Sequence, residues 1–492
     1  MRRVSVFKVF WLLFLALCLS WNWFHFLKAT PDKDFAYFKG SDSNHYYAWV
    51  RSLAFDSDLN LFNDFNFIAE HNVGGAAKQY FSEVLVAPRT ETGFLPNKYG
   101  IGSALLAYPL VRSVVLIFDK QDLSDFSPIY CIFFLFNQIL LAMLGLFLIY
   151  KSCVLYFSKS AVNWALVAGT FGLSFGFYLF FEPAMAHLPG FFVSALVLYL
   201  ILKRSVTVEV VQRNLLDNFS RSFLFMLGAL CGLSSMIRFA NICILVFVAV
   251  YLFLLAIKES SGQLSKLITA LFYLGIGFVA VFSIQMFVWL HVYGTPLLYS
   301  YQGETIHFVP IHLLSILFGT KSGLFLWTPL ALPAVCGLVL AVGKKQSNDS
   351  RLISTIAFAA LICLASFLWV YGSWENYWLG GSYGMRGLID FTPFFIFGLI
   401  VLLDQFFVIG LRIKFPLSFL IKLFLLIGIF WNIYLMIAYR AGIAKADTLL
   451  TKNIFIYEQK WFKQFKKELE VFEGPYFEGL RPEIEPEVPA QK

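Results

Sequence analysis

Three aspartates near the start of the first long polar stretch have the side-chain type of a general base. Asp42 stands just before residues 45–53, whose apolar side chains recur at helical spacing, and Asp56 and Asp58 follow that segment. A carboxylate held in place can accept a proton from an attacking hydroxyl group. The structural alternatives are that Asp42 caps the helix and that Asp56-Ser-Asp58 is a solvated loop or a metal-binding or capping pair.

Three cations stand next to apolar segments and could hold a phosphate group. Lys98 lies in Asn97-Lys98-Tyr99-Gly100, just before an apolar stretch, and Tyr99 joins it as a candidate binding residue. Arg238 separates two apolar segments, and Arg386 ends a glycine-rich run that begins at Gly380. Charge-assisted hydrogen bonds from such side chains suit phosphate oxygens. The alternative is that each cation reaches independently toward lipid headgroups.

Three further candidates are Glu182, His187 and Tyr383. The first two occupy a short connection between apolar segments, where an ionisable side chain is costly and marks a functional site unless a turn satisfies it. Tyr383 lies in the glycine-rich run, where glycine lets a ligand approach the backbone and aromatic faces can stack on sugar rings. An aromatic belt at a membrane interface explains the aromatic residues equally well.

Composition indicates the scaffold that must position these residues. Of the 492 residues, 59% are hydrophobic and only 14% are charged, against roughly 25% in soluble domains. The mean hydropathy is +0.72. A soluble enzyme of this size needs more polar surface, and a disordered chain or a disulfide scaffold would show a different composition. Apolar runs of about 20 residues predict an all-α, polytopic membrane protein.

The runs predict about eleven transmembrane helices, and their basic connectors orient the chain. With a cytoplasmic N-terminus and an extracytoplasmic C-terminus, the Lys- and Arg-rich connectors all fall on the cytoplasmic side. The net charge of +8 is therefore read as an orientation signal and not as a nucleic-acid site. The predicted spans are 5–27, 128–150, 162–181, 188–202, 223–238, 241–257, 267–289, 325–342, 352–371, 389–407 and 416–438.

This topology keeps one apolar segment, 99–118, from crossing the membrane. We expect it to be a juxtamembrane or re-entrant helix in the first extracytoplasmic loop, 28–127, because a crossing would turn every later basic loop outward. Residues 313–324 have a similar character. The predicted organisation is a transmembrane catalytic domain over 1–438 and an extracytoplasmic tail over 439–492.

The layout and motifs resemble the GT-C superfamily of integral membrane glycosyltransferases, in the branch of protein O-mannosyltransferases and lipid A aminoarabinose transferases. Asp42 matches the family's acid near the start of the first outer loop, and Asp56 and Asp58 fall where relatives have Asp-Gly-Asp. Lys98 matches the cation that begins the juxtamembrane helix, although the family's Pro-Pro pair is absent. Arg238 matches a cation at the outer end of the fifth span, and the closing glycine-rich segment matches Gly380 to Arg386. Glu182 or His187 loosely matches an acidic position in the second outer loop.

The resemblance implies transfer of a sugar from a polyprenyl-phosphate or dolichyl-phosphate donor to a lipid, glycan or protein acceptor, with inversion, on the outer or lumenal side. Asp42 would be the base, and the three cations would stabilise the departing phosphate. Metal use varies across the superfamily; no metal site is predicted, and a divalent cation is the alternative. The other function classes are a lipid-linked sugar transporter or flippase and a glycan polymerase or ligase. The expected location is a bacterial inner membrane, with the endoplasmic reticulum as the alternative.

The proposed roles also predict a geometry. Lys98, Arg238 and Arg386 should surround one space at the same depth, and Asp42 should face them across roughly 5–8 Å. Without a bound anion, the three cations should lack compensation.

Overall fold

The computed structural model describes residues 14, 16–20, 38, 40–71, 76–118, 124–209, 219–258, 263–301, 303–343, 348–413 and 417–440. Helices and short connections make up this part of the chain. The sole β pairing within it is an isolated antiparallel bridge between Ile306 and Trp374. The predicted all-α class is confirmed. Most of the first predicted span, 5–27, and nearly all of the tail, 439–492, lie outside the described residues.

The helices are numbered in chain order. A π-helical turn, Ser52–Asp56, follows the first one, and 3-10 turns at Phe239–Asn241 and Arg386–Phe391 precede the tenth and sixteenth. The α-helices are α1 (Ser41–Arg51), α2 (Phe62–His71), α3 (Ala76–Val86), α4 (Gly102–Phe118), α5 (Pro128–Cys153), α6 (Lys159–Phe171), α7 (Phe175–Phe180), α8 (His187–Glu209), α9 (Arg221–Ile237), α10 (Ile242–Lys258), α11 (Gln263–Tyr293), α12 (Leu313–Phe318), α13 (Leu324–Trp327), α14 (Ala331–Val342), α15 (Asn348–Ser373), α16 (Thr392–Ile413) and α17 (Leu417–Arg440).

Seven helical segments of the described chain are long and apolar enough to cross a membrane. Each coincides with a predicted span, because about 20 apolar residues in helical form match the thickness of the hydrocarbon core. The total of about eleven and the orientation of the termini remain predictions. The seven segments are Pro128–Cys153, His187–Ser205, Phe239–Ile257, Leu264–Tyr293, Ser350–Ser373, Arg386–Val408 and Leu417–Arg440.

Two of the remaining predicted spans are broken helices and not continuous ones. The stretch 162–181 divides into α6 and α7, and the Asn432 side chain donates to the carbonyls of Phe171 and Leu173 at the break, 2.7 and 3.1 Å away. These bonds satisfy carbonyls that a helix end leaves without partners. The stretch 325–342 divides into α13 and α14 at Pro329, because proline disfavours helical backbone at the preceding residue. The predicted span 223–238 matches α9, an apolar helix of 17 residues.

Helix α4 occupies the segment predicted to lie beside the membrane, and its start is packed tightly into the bundle. A Cβ on Gly100 would lie 2.0 Å from the carbonyl oxygen of Met236, so only glycine lets this backbone approach the end of α9. The Gln285 side chain, within α11, accepts a hydrogen bond from the Ile101 amide at 2.9 Å. These contacts place the residues just before α4, including Lys98 and Tyr99, beside the ends of α9 and α11. Whether α4 crosses the membrane remains a prediction.

Candidate active site

The Asp42 carboxylate lies between a tyrosine and an arginine from distant parts of the chain. The Tyr99 hydroxyl donates to Asp42 Oδ1 at 2.6 Å, and Arg386 Nη2 donates to Oδ2 at 2.9 Å. Both members of the ion pair are partly exposed, with about a fifth of each side chain accessible: 21% for Asp42 and 17% for Arg386. Three separately predicted residues, Asp42, Tyr99 and Arg386, therefore meet in one cluster.

Asp42 does not cap its helix. The N-cap of α1 is Gly40, and no side-chain hydrogen bond is made there. Asn44 fixes the entry to the helix by bonding the main chain of Phe38 and Gly40. The Asp42 carboxylate thus remains in the first turn, where the helix dipole favours negative charge, and points to Tyr99 and Arg386.

Buried hydrogen bonds position the Tyr99 side of the cluster. Asn97 bridges two segments: its Nδ2 donates to the His45 carbonyl at 3.2 Å, and its Oδ1 accepts from the Tyr99 amide at 3.1 Å. The Trp49 indole donates to the Tyr99 carbonyl at 3.0 Å. One face of α1 is thereby attached to the segment that carries Lys98 and Tyr99.

The glycine-rich run positions the Arg386 side. Gly384 has φ +55, in the left-handed region that glycine tolerates best, and a Cβ there would lie 2.5 Å from Ser174 Oγ. The Arg386 amide donates to the Gly384 carbonyl at 2.9 Å, which closes the turn. This tight turn ends at the start of the span Arg386–Val408 and directs Arg386 toward Asp42.

The surroundings of Asp42 favour the ionised carboxylate. Burial alone would raise its pKa, but the Arg386 guanidinium and the Tyr99 hydroxyl outweigh that effect, and the pKa is lowered. Lys98 acts in the same direction. The carboxylate is therefore charged at neutral pH and bonded at both oxygens, so its affinity for a free proton is low.

Arg238 lies in a second cluster, built around a carboxylate that we did not single out in the sequence. Its Nη1 donates to Asp390 Oδ2 at 2.5 Å, and its Nη2 donates to the Tyr371 hydroxyl at 2.9 Å. His187 Nδ1 lies 3.0 Å from the same Nη1, and Asn241 donates to Asp390 Oδ1 at 3.2 Å. The predicted residues His187 and Arg238 are therefore neighbours.

Burial and close packing hold Asp390 in this cluster. It is fully buried, and Gly190 of α8 lies against it so closely that a Cβ would fall 1.6 Å from Oδ1. A buried carboxylate of this kind is costly unless it is paired and hydrogen-bonded, as it is here. Its sequence signal was an ionisable residue inside a predicted span, at the second position of 389–407.

Lys98 has its own carboxylate partner, Glu304, which the sequence analysis also missed. Nζ donates to Glu304 Oε1 at 3.0 Å and lies over the rings of Tyr301 and Tyr99, 5.0 and 5.7 Å from their centres. Lys98 is 32% exposed and Glu304 is 18% exposed. Lys98 is therefore the most exposed member of the three cation–carboxylate pairs.

Tyr301 joins the three clusters. Burial raises the pKa of its hydroxyl, Arg238 and Arg386 oppose that rise, and Asp42 adds to it, so all three charges act on this one side chain. Its ring lies below Lys98 and 5.2 Å from Trp374. The predicted convergence of Asp42 with the three cations thus has a common neighbour.

The geometry differs from the prediction in two respects. The cations were expected to lack compensation, but Lys98, Arg238 and Arg386 each pair with a carboxylate. Clustered cations repel each other, and a carboxylate beside each one removes that cost. Asp42 was also expected to face the cations across a gap. It instead contacts Arg386 directly at 2.9 Å.

Glu182 lies near the same cluster. Burial raises the pKa of its carboxyl, while Arg386 and Arg440 oppose the rise and Asp42 adds to it. Within the described chain, Glu182 takes part in no ion pair closer than 4.0 Å. The Glu182 carboxyl therefore holds a proton more readily than an exposed glutamate does.

Tyr383 is enclosed by other side chains and does not offer the open aromatic face that was predicted to stack on a sugar. It is fully buried, stacks on Phe177 with ring centres 4.6 Å apart, and donates its hydroxyl to Asn432 Oδ1 at 2.6 Å. Trp327 and Tyr439 enclose the remaining edges of the ring. Because its ring and hydroxyl are both occupied, Tyr383 supports the glycine-rich turn from behind.

Asp56 and Asp58 lie at the opposite end of α1 from Asp42. Asp56 accepts from Arg51 at 2.7 Å, and Asp58 accepts from the Ser52 hydroxyl at 2.8 Å and from the Asn60 amide at 3.0 Å. Arg51 is about 14 Å from Asp42 along the helix axis, at about 1.5 Å per residue. The structure does not bring these two aspartates to Asp42.

No three His, Cys, Asp or Glu side chains within the described ranges are placed so that they could hold a metal ion. None of the described cysteines forms a disulfide; Cys336 is exposed and the others are buried.

No protein-family model matches the sequence, and no curated protein does. Solved structures to which the chain is similar include an archaeal oligosaccharyltransferase, AglB from Archaeoglobus fulgidus, in complex with an inhibitory peptide and a dolichol-phosphate. That likeness has 14% identity and a TM-score of 0.44. An apo form of the Archaeoglobus fulgidus oligosaccharyltransferase gives 13% and 0.45. Each alignment covers 99% of this chain and 62% of the other, so the chain spans less than two thirds of their length.

Proposed function

We propose that this protein is a membrane glycosyltransferase that moves a sugar from a polyprenyl-phosphate donor to an acceptor at the outer face of the membrane. The observation that carries the proposal is the Asp42–Arg386 pair with Lys98 and Arg238 beside it around Tyr301. These residues combine a carboxylate for a hydroxyl acceptor with several fixed cations for a phosphate leaving group.

The ends of the apolar helices support this location. His187 and Arg386 begin candidate spans, and Arg238 immediately precedes another. Since these three residues lie in the clusters around Tyr301, the site is at one end of the bundle. A lipid phosphate has its charge at the membrane surface and its chain in the hydrocarbon core, so the donor fits this depth. The positive-inside rule favours an extracytoplasmic position for this end.

In the proposed reaction, the acceptor oxygen attacks the anomeric carbon of the donor sugar. A bond forms between that carbon and the acceptor oxygen while the bond to the phosphate oxygen breaks, with inversion. The acceptor proton passes to the Asp42 carboxylate, and the polyprenyl phosphate leaves with the electron pair. Preorganised cations stabilise the charge that develops on it.

The ion pair with Arg386 defines how Asp42 serves as the base. A carboxylate of lowered pKa removes few protons from a resting hydroxyl, but it accepts one as the acceptor oxygen becomes bonded to carbon and its own acidity rises. Arg386 holds the carboxylate in place before that moment. Tyr99, which donates to the other oxygen, has the same positioning effect.

Gene deletion and complementation test this proposal. We expect a deletion strain to accumulate a polyprenyl-phosphate sugar and wild-type protein to remove it, while Arg386→Met fails. Lys151→Met is the matched control, because Lys151 lies near the far end of α5 over Phe147 and is remote from the site. If no lipid-linked sugar accumulates, or if Arg386→Met restores its consumption fully, the proposed function is wrong.

A further inference from the structure

The three carboxylates that neutralise the site cations are not held equally firmly. Asp390 is fully buried and bonded to Arg238 and Asn241. Asp42 is attached to Tyr99 and Arg386 through both oxygens. Among the described residues, Glu304 bonds Lys98 through Oε1 alone, and its buried Oε2 has no hydrogen-bond partner. Glu304 is therefore the carboxylate whose removal from its cation costs the fewest interactions.

The backbone around Glu304 holds it over Lys98. Its amide donates to the Tyr301 carbonyl at 3.1 Å, and Gly303 before it has φ +81, which favours glycine. Ser300 Oγ donates to the Lys98 carbonyl at 2.8 Å, so the tyrosine-containing segment is attached to the Lys98 backbone itself. The position of Glu304 over Lys98 is thus built into the fold and does not depend on a chance side-chain conformation.

The other side of Glu304 is attached to the segment after α15. The Glu375 amide donates to the Thr305 carbonyl at 3.0 Å, and the Thr305 amide donates to Glu375 Oε2 at 3.3 Å. Next to them, Ile306 pairs with Trp374. The chain beyond is strongly apolar and exposed, with Phe308 at 87% and Leu314 at 73% exposure. Glu304 therefore lies where a polar cation site borders a surface suited to lipid.

We propose that Glu304 is a resident anion that the donor's phosphate group displaces from Lys98, so that Glu304 sets the protein's affinity for that phosphate. This inference rests on the proposed function and deepens it. The phosphate of a sugar-bearing donor is a diester with one negative charge, like the carboxylate, and it gains further charge and a free oxygen as the sugar is transferred. It therefore competes with Glu304 for Lys98, and it competes most strongly as the departing polyprenyl phosphate, which farnesyl phosphate resembles. The displaced Glu304 would then solvate at the partly exposed edge of the site.

Competition of this kind has a measurable consequence. If a ligand binds only to one state of a protein, its affinity is reduced in proportion to the fraction of molecules in that state. If Lys98 is paired with Glu304 roughly nine-tenths of the time, removing the carboxylate charge should strengthen phosphate binding about tenfold. If the Lys98–Glu304 pair served only to stabilise the fold, removing the Glu304 charge would weaken phosphate binding, because the site would become looser.

Binding of farnesyl phosphate to the purified full-length protein in detergent, followed by tryptophan fluorescence, tests the inference. We expect Glu304→Gln to bind it about tenfold more tightly than wild type, with no change in the binding of farnesol, which lacks the phosphate. Glu375→Gln is the matched control, since it removes the same charge beyond Thr305 without touching Lys98. Lys98→Met should bind weakly, and adding Glu304→Gln to it should give no gain.

Equal or weaker binding of farnesyl phosphate by Glu304→Gln would overturn the inference, as would an equal gain in Glu375→Gln. If wild type binds farnesyl phosphate but Glu304→Gln does not improve on it, only this inference fails. If neither protein binds farnesyl phosphate, the proposed function fails with it. Should Glu304→Gln not fold, Glu304→Asp, which keeps the charge but shortens the reach to Lys98, should still tighten binding.

Discussion

Helix α1 has an arginine and a carboxylate at each end, and the two arrangements differ in origin. At its N-terminus Asp42 pairs with Arg386, which is 344 positions away along the chain. At its C-terminus Arg51 pairs with Asp56 and Asp64, 5 and 13 positions away. The first pair joins remote segments at a partly exposed place, whereas the second closes a local turn around a buried arginine.

The two clusters also differ in charge balance. Arg51 is 2% exposed and faces Asp56, Asp64 and, at 3.7 Å, Asp125, and the Phe126 ring lies 4.3 Å from its guanidinium carbon. Among the described residues, Arg386 forms one ion pair, with Asp42, and it retains solvent access. The buried cluster stabilises the loop that follows α1, and the accessible one has donors available for a ligand. Burial and chain separation therefore distinguish a structural ion cluster from a candidate site.

The largest effect should follow from Asp42→Asn. Asparagine keeps the size of the side chain but cannot take the acceptor's proton, so sugar transfer should fall by roughly 10²–10⁴. The rate of transfer in reconstituted membranes measures this, with expression and melting temperature as checks on folding. Asp56→Asn, at the other end of α1, should change the rate only a few-fold. Comparable losses in both variants would remove the functional distinction between the two ends.

Sequence reasoning found residue types at the site but not their pairing. Asp42, Lys98, Arg238 and Arg386 were recognisable because charged residues beside apolar runs are costly. Their partners Glu304 and Asp390 were not singled out, because contacts between segments hundreds of positions apart leave no trace in local spacing. Asp56 and Asp58 were grouped with Asp42 by proximity in sequence, and the length of α1 separates them.

The helices, like the site residues, were predictable from local features but not where they depend on distant contacts. Length and apolarity predicted the seven candidate spans, since both are local properties. The breaks at Phe171 and Trp327 were not predicted. The first depends on the Asn432 side chain, which comes from the last described helix and satisfies the interrupted carbonyls.

Arg51→Leu should cause the next largest effect, and on stability. It leaves Asp64 buried beside Asp56 without its cation, and breaking a buried pair costs roughly 3–5 kcal/mol. The melting temperature in detergent should fall clearly, and activity per folded molecule should remain near normal. Arg89→Leu is the control: Arg89 lies over Phe62 on the outside of the same region. An Arg51→Leu protein of normal stability but no activity would place this cluster in the active site.

Gly190→Ala tests whether the Arg238 cluster belongs with the functional end. The new Cβ would collide with Asp390 Oδ1 and displace it from Arg238. We expect about a tenfold loss of transfer or more, equivalent to about 1.4 kcal/mol in the transition state. Gly275→Ala, in α11, should be neutral, because no atom of the described residues around it lies within 4 Å of where its Cβ would stand. Equal activity of both variants would exclude a role for the Asp390–Arg238 geometry.

Per pH unit, the pH dependence of the buried cluster is a smaller effect. Burial raises the pKa of Asp64 to about 7, with Arg51 opposing and Asp56 adding to the rise. Because the folded state then binds a proton that the unfolded state has lost, Asp64 should lower stability as pH rises from about 4 to 7, by at most about 1.4 kcal/mol per pH unit. The melting temperature of wild type should fall as pH rises through this range, and that of Asp64→Asn should fall less. Equal slopes for the two proteins would show that Asp64 is not the titrating group.

The smallest expected effect is that of Asp58→Ala. Asp58 accepts from Ser52 and Asn60 in an exposed turn, and Ser57 beside it has φ +56, so the side chain fastens a strained turn without facing Asp42. Loss of such a local bond costs about 1 kcal/mol. The melting temperature should therefore fall slightly, and the rate of sugar transfer should match wild type. Asp58→Asn, which keeps an acceptor oxygen for Ser52 and Asn60, should recover most of the stability. If Asp58→Ala abolished transfer while Asp58→Asn melted like wild type and was equally inactive, the carboxylate at this end of α1 would be catalytic, and the contrast between the two ends would be reversed.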